Sequence, residues 1–272
     1  MRRGLFFIFM ILFVGAEARA TGASPLRSLM TGDDSRGWQA VGRLNIGAQS
    51  FCTGALISEN LVLTAAHCMF DMETGVRMND ADIEFLADWR GGRAAAYRGI
   101  KRSIVHPDFA VDKATLVERV AFDVALLELD QPIRNSTIAP FAIDGRPTDG
   151  SEVGVVSYAF DRPDSPSLQE VCHVLARQNG SLVLSCDVDF GSSGAPIFVI
   201  EDGQPRIVSV VSAKAKVQGQ PVALGTALEV PLAELMALRE ATTIIARGDL
   251  PVVRRLTLGA NDGSTGAKFV KP

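Results

Sequence analysis

Three short segments of this 272-residue chain carry side chains whose types could do covalent chemistry together. His67 closes Leu63-Thr64-Ala65-Ala66-His67-Cys68, Asp123 opens the apolar run Phe122-Asp123-Val124-Ala125-Leu126-Leu127, and Ser193 sits among small residues in Asp189-Phe190-Gly191-Ser192-Ser193-Gly194-Ala195-Pro196. Serine is a weak nucleophile at neutral pH and needs a base to take its proton as it attacks. Histidine, with an unperturbed pKa of ~6.5, is suited to that work. The imidazole in turn needs a buried carboxylate to fix its tautomer and to stabilise the imidazolium that forms. A developing oxyanion needs backbone N–H donors, and glycine at 191 lets the chain turn so that two amides converge. Taken singly, a histidine beside a disulfide, an aspartate before a strand and a tight glycine turn all have ordinary structural explanations. Their coincidence in one chain argues for acyl-transfer chemistry.

The elements that must position these residues read as strands. Apolar periodicity is short and mostly of period two, which predicts strands at 40–46, 53–58, 61–64, 82–86, 99–105 and 124–129 in the first half. In the second half it predicts strands at 152–158, 170–175, 182–185, 195–200, 207–213 and 222–230. Two sets of about six strands with turn residues between them suit an all-β fold of two barrel-like halves. The segment 131–150 has no sustained periodicity and reads as the linker. One helix is predicted at 231–247, with Pro231 in its first turn and Leu232, Leu235, Met236 and Ile244 on an apolar stripe. Gly248 stops it, and 248–272 reads as a polar tail.

The N-terminus bears on where this chemistry would take place. Arg2 and Arg3 precede a short apolar run from Leu5 to Val14, and small residues at Ala16, Ala18 and Ala20 follow. That is the pattern of a signal peptide over 1–20, too short to span a hydrocarbon core of about 30 Å. The expected destination is the periplasm or the medium, with no membrane anchor after the signal is removed. Cys52, Cys68, Cys172 and Cys186 fall into two local pairs, and in an exported chain we pair Cys52 with Cys68 and Cys172 with Cys186. With three histidines and no C-x-x-C spacing, no metal site is expected, nor any cofactor. The net charge of −4 is not gathered into runs, which argues against a nucleic-acid partner.

Thr64–Cys68, Asp123–Leu127 and Gly191–Pro196 together resemble the three signature segments of chymotrypsin-like serine proteases, and Cys52 stands where that family places the partner of Cys68. The resemblance runs from about Trp38 to Val230. It implies a double six-stranded antiparallel β-barrel, with an N-terminal half at 28–138 carrying His67 and Asp123 and a C-terminal half at 139–230 carrying Ser193. It also implies an oxyanion hole built from the amides of Gly191 and Ser193, polypeptide substrates and a monomer.

Two departures refine the resemblance. Ser192 replaces the acid that precedes the nucleophile in the animal digestive enzymes, where it receives the new N-terminal ammonium on activation. The form Gly191-Ser192-Ser193-Gly194 is more similar to the bacterial glutamyl endopeptidases, as is 28–34 following Arg27, which implies a zymogen whose propeptide, 21–27, ends at Arg27. The histidine on which that branch's glutamate preference relies is Val211 here. For the primary pocket, similarity to the trypsin-like branch implies Asp187, six residues before the nucleophile, as an acid that would attract a substrate Arg or Lys, together with Ser212 and Lys214 on a wall strand and Asp189 as a competing acid. His106 is expected to be structural, and His173 to lie on a strand surface. An α/β-hydrolase is discounted, because its order is serine, acid, histidine and its strands alternate with helices. A protease-like binding module without activity is the remaining alternative, although no member of the triad is missing.

Overall fold

The computed structural model of the protein describes residues 22–48, 50–112, 115–143 and 146–247. The expected signal peptide, residue 21, Gly248 and the tail beyond it lie outside the described residues. One compact unit ends at Leu235, and a second begins at Met236 within the C-terminal helix.

The chain enters as a two-residue strand, β1 (Arg27–Ser28). Six strands then follow: β2 (Val41–Ile46), β3 (Ser50–Ser58), β4 (Leu61–Thr64), β5 (Ile83–Ala87), β6 (Ala96–Val105) and β7 (Ala125–Leu129). They close into a barrel in the order β2-β3-β4-β7-β6-β5. The predicted positions hold to within a few residues, because each strand puts an apolar set inside the barrel. Leu44, Leu63, Phe85 and Leu126 are fully buried there.

The second half contributes β8 (Ala142–Ile143), β9 (Glu152–Ala159), β10 (Arg162–Gln178), β11 (Ser181–Leu184), β12 (Pro196–Glu201), β13 (Gln204–Val217) and β14 (Gln220–Ala227). Pairing runs from β9 through β12, β13, β14, β11 and β10, and β10 pairs again with β9. Val155, Leu182, Leu184, Ile197 and Val208 form the centre of its core. Two strands add to this set that periodicity did not suggest. β8 joins β13 in parallel, and β1 joins β10 antiparallel. Residue 28, expected at the start of the N-terminal barrel half, therefore pairs with the second sheet.

Two further elements differ from the sequence expectation. β10 extends over 17 residues instead of the expected six, because its prolines fall where they cost no hydrogen bonds. Pro163 and Pro166 lie within the register shift between Arg162 and Ser167, where ladder donors are not required. Helix α1 (Leu116–Ala121) was not expected, since six residues are too few for an apolar period. Its start is nonetheless written in Thr115 and Glu118, which form a capping box. Helix α2 (Pro231–Arg247) occupies its expected span, and Leu232 and Leu235 of its first turns are buried.

The disulfides join Cys52 to Cys68 and Cys172 to Cys186. The first ties β3 to the 3-10 turn Ala66–Met69 that carries His67. With its cysteines at a sequence separation of 16, removing this crosslink as Cys52→Ala/Cys68→Ala should cost ~3 kcal/mol on the chain-entropy account. Urea unfolding should show a lowered midpoint, and an unchanged midpoint would mean that the crosslink constrains nothing in the unfolded chain.

Candidate active site

Strand β4 runs directly into the 3-10 turn, so His67 is held within a few residues of a fully buried strand. Asp123 follows helix α1, just ahead of β7. Its carboxylate is 2% exposed, and three groups satisfy it. The His67 backbone N–H donates to Oδ1 at 2.8 Å, and the His67 Nδ1–H donates to Oδ2 at 2.6 Å. The Ser212 hydroxyl, from β13, also donates to Oδ2. A carboxylate can only accept, so the ring is held in the tautomer with hydrogen on Nδ1, and Nε2 is left as the basic nitrogen.

Ser193 lies in the turn between β11 and β12, and the first barrel fastens that turn through one residue. The N–H of Thr53, on β3, donates to the Ser193 carbonyl at 2.8 Å, and its hydroxyl donates to the Gly191 carbonyl at 2.9 Å. Gly191 and Gly194 have φ of +95° and +77°. A Cβ at Gly194 would meet the Thr53 carbonyl at 2.4 Å, and one at Gly191 would meet the Phe51 ring at 2.4 Å. Both positions therefore demand glycine for conformation and for space. The amides of Ser192, Gly194 and Ala195 donate to Asp189, Val211 and Ser192 carbonyls. Those of Gly191 and Ser193 find no acceptor among the described residues. Unpaired backbone donors at the serine and two residues before it are groups of the kind an oxyanion requires.

Ser192 is fully buried, and its hydroxyl lies 3.2 Å from both Ser157 Oγ and the Tyr158 carbonyl. A neutral side chain with these partners calls for no counter-ion.

His67, Asp123, Ser193 and Ser212 all line one cavity of about 470 Å³. Its apolar wall includes Val188, Val211 and Ala213, and its charged groups are Arg119, Asp189 and Lys214. Lys214 Nζ lies 3.4 Å from Asp189 Oδ2. The Phe190 N–H, and after it Lys214, hold the Asp189 carboxyl below its usual range. Of the expected pocket residues, Lys214 and Ser212 line the cavity, although the Ser212 hydroxyl is engaged by Asp123. Asp187 does not line it; its side chain is exposed, and Asp189 occupies the wall instead. A larger depression of about 580 Å³ near Trp38 and Pro205 has arginines but no nucleophile or histidine. Its lining cannot supply the same chemistry.

His106 is buried away from this cavity. Its Nδ1 accepts from the Asp108 N–H at 3.2 Å and its Nε2 pairs with Glu234 at 2.8 Å, a structural arrangement. His173 lies half-buried on β10. Among the described residues, the one grouping of potential metal ligands is Cys52, His67 and Cys68. Its sulfurs are joined in a disulfide and are not available as thiolates.

Sequence reasoning missed Thr53 and also Thr226, whose hydroxyl lies 2.7 Å from the Val120 carbonyl and 3.1 Å from that of Asp123. Thr226 thereby ties the loop of Asp123 to the second sheet. The available signal was a threonine set among apolar strand residues, in 51–56 and 222–228, and the structure buries both fully.

Comparison with known proteins gives a consistent result. The family profile described as Trypsin matches residues 31–231. The chain is similar to phenoloxidase-activating factor 3 of Holotrichia diomphalia, at 34% identity over 40% of this chain and 33% of that protein. It is also similar to serine protease 23 of Mus musculus, at 26% identity over 68% of this chain and 54% of that protein. It thus spans between 33% and 54% of the length of these relatives. Among solved structures, a Glu endopeptidase in complex with MPD has the same fold. It has a TM-score of 0.66 at 17% identity, covering 81% of this chain and 98% of that one.

The His67–Asp123 contact has a measurable consequence. Burial alone would push the His67 pKa down. The charge and hydrogen bond of Asp123 outweigh that, with Arg119 opposing them, and the net shift is upward from 6.5. A folded pKa above the unfolded one means that the charged pair stabilises the fold fully below pH ~6.5 and ceases to do so as pH rises through the raised value. Asp123→Asn removes the charge but leaves the burial. The His67 midpoint followed by NMR should lie above 6.5 in the parent chain and below it in the variant; equal midpoints would remove Asp123 as the cause.

Proposed function

The chain belongs to the trypsin family, and from that membership together with the geometry around Asp123 we propose that it is an exported serine endopeptidase. Ser193 is the nucleophile, His67 the general base and acid, and Asp123 the residue that orients the imidazole. The observation that carries this reading is the shared cavity. Its lining includes a histidine held by a buried carboxylate and a serine, and the serine's turn leaves the Gly191 and Ser193 amides without acceptors among the described residues.

In the proposed reaction, Ser193 Oγ attacks the scissile carbonyl carbon while its proton passes to His67 Nε2. The resulting oxyanion is stabilised by the Gly191 and Ser193 N–H groups, and the imidazolium by Asp123. Nε2 then gives its proton to the departing amine, and the C–N bond breaks to leave an acyl-enzyme. Water, deprotonated by the same nitrogen, attacks the ester, and the tetrahedral species collapses to release the carboxylic acid and return the proton to Ser193. No metal or cofactor enters these steps.

Export is supported by the signal-like N-terminal sequence and by the two disulfides, which persist in oxidising compartments. No helix among the described residues is long and apolar enough to cross a membrane. The substrate of the proposed enzyme is a polypeptide, as membership of the trypsin family suggests.

For specificity, the charges lining the cavity balance, Asp189 and Asp123 against Lys214 and Arg119, and the rest of its wall, with Met72, Val188, Phe190, Val211 and Ala213, is largely apolar. We therefore expect an uncharged apolar residue before the scissile bond to be preferred over Arg or Glu.

A fluorophosphonate should label wild-type protein at Ser193 in one-to-one ratio, and Ser193→Ala should lower peptide turnover by several orders of magnitude. Near-parental proteolysis in that variant would overturn the assignment. Absence of labelling would favour a catalytically silent binding module.

Matched peptides differing in the residue before the scissile bond test the pocket. Asp187→Ser should leave their ranking unchanged, whereas Lys214→Ala should expose Asp189 and raise the rate for Arg. A ranking altered by Asp187→Ser alone would return the pocket acid to position 187.

A further inference from the structure

The loop that carries the nucleophile is anchored to β10 near its start. Cys186 is bonded to Cys172, and Ser185 and His173 exchange hydrogen bonds of 3.0 and 2.9 Å. The next tether toward Ser193 comes from a side chain. The Asp187 N–H donates to Gln169 Oε1 at 2.7 Å. The other end of the same amide, Nε2, donates to the Ser24 carbonyl at 2.8 Å. Gln169 is 3% exposed, so both ends of its amide must be satisfied inside the protein. Only one orientation puts oxygen toward the N–H and nitrogen toward the carbonyl, and this fixes the side chain from both sides.

Ser24 is itself held along β10. Its N–H donates to the Val171 carbonyl at 2.7 Å, and the Val171 N–H donates to its hydroxyl at 2.9 Å. Past it, Arg27 and Ser28 pair with Leu168 and Ser167, and Leu29 is fully buried. The segment 24–29 is thus an added edge to the second sheet, and at Ser24 it is linked to the nucleophile loop through the hydrogen bonds of Gln169.

We infer that Gln169 is a positioning residue that couples this N-terminal segment to the loop bearing Gly191 and Ser193, an inference that rests on the peptidase reading of that loop. Gln169 touches no substrate atom. It acts by fixing the height of the Asp187 amide, four residues before the first free N–H at Gly191. The Arg27–Ser28 bond lies inside β1, so a cut there would leave Ser24 on a separate fragment. Processing at that bond would then reach the loop through Gln169. Ser192 could not serve as the receiver, because its buried hydroxyl offers no charge to a new ammonium.

The test is a double-substitution cycle in the full chain. Ser24→Pro removes the N–H that docks the segment, and Gln169→Met removes both amide bonds. Each alone should lower kcat/KM for a peptide substrate by about fivefold, and the pair should be no worse than either one. Gln169→Glu keeps an acceptor for Asp187 but sets a carboxylate against the Ser24 carbonyl. It should therefore resemble Ser24→Pro, and it serves if the methionine variant folds poorly. Hydrogen exchange at the Asp187 amide provides a readout that does not need activity, and it should quicken by about fivefold in Ser24→Pro, where Gln169 is intact. Additive losses, or unchanged exchange at Asp187 in Ser24→Pro, would overturn the coupling. If wild type neither cleaves peptides nor takes the fluorophosphonate, the peptidase reading fails, and the exchange result still decides for or against the coupling.

Discussion

A buried carboxylate must be surrounded by donors, and much of the arrangement of this protein follows from meeting that demand at Asp123. An uncompensated ion in the interior costs several kcal/mol, so the site is stable only with its partners in place. Those partners come from far apart in the chain: the amide and ring of His67 from the first barrel, and the hydroxyl of Ser212 from β13 of the second sheet. The interaction that fixes the histidine tautomer is therefore also one that draws the two halves together.

Other buried hydroxyls repeat the pattern. Thr53 reaches from β3 to the turn of Ser193, and Thr226 reaches from β14 to the loop before Asp123. Each half of the protein thus holds a candidate site segment of the other half. Neither set of strands can place His67 and Ser193 on a common cavity by itself, and shifts between the halves would disturb the amides of Gly191 and Ser193 before they disturbed either core. Glycine at 191 and 194 is part of the same constraint, since the turn packs too closely on Phe51 and Thr53 to admit a Cβ.

Charge at the site is handled locally. Ser192 fills its buried position with a neutral group bonded to Ser157 and Tyr158, and Asp189 is matched by Lys214 across the cavity wall. Among the described residues lining the cavity, Asp123 carries the deeply buried negative charge, and this is the charge that a protonated His67 would meet in the proposed reaction. The raised His67 pKa and the proposed stabilisation of the imidazolium are two expressions of that single contact.

The sequence alone determined the strands, because period-two burial is written locally, and it determined the triad candidates, because their types and flanking residues are distinctive. It also indicated the disulfide pairs and the C-terminal helix. Helix α1 was legible only in its capping box, and β1 hardly at all, since two residues show no period. What the tertiary structure decided were relations between distant segments: that Ser212 serves Asp123, that Asp189 and not Asp187 lines the cavity, and that Gln169 joins Ser24 to the nucleophile loop. A one- or two-residue change in a loop's path turns a side chain from cavity to solvent without altering any local pattern. Hydrogen bonds across more than a hundred residues of chain leave no periodic trace. Sequence therefore identified the groups capable of chemistry, and folding selected which of their neighbours they would meet.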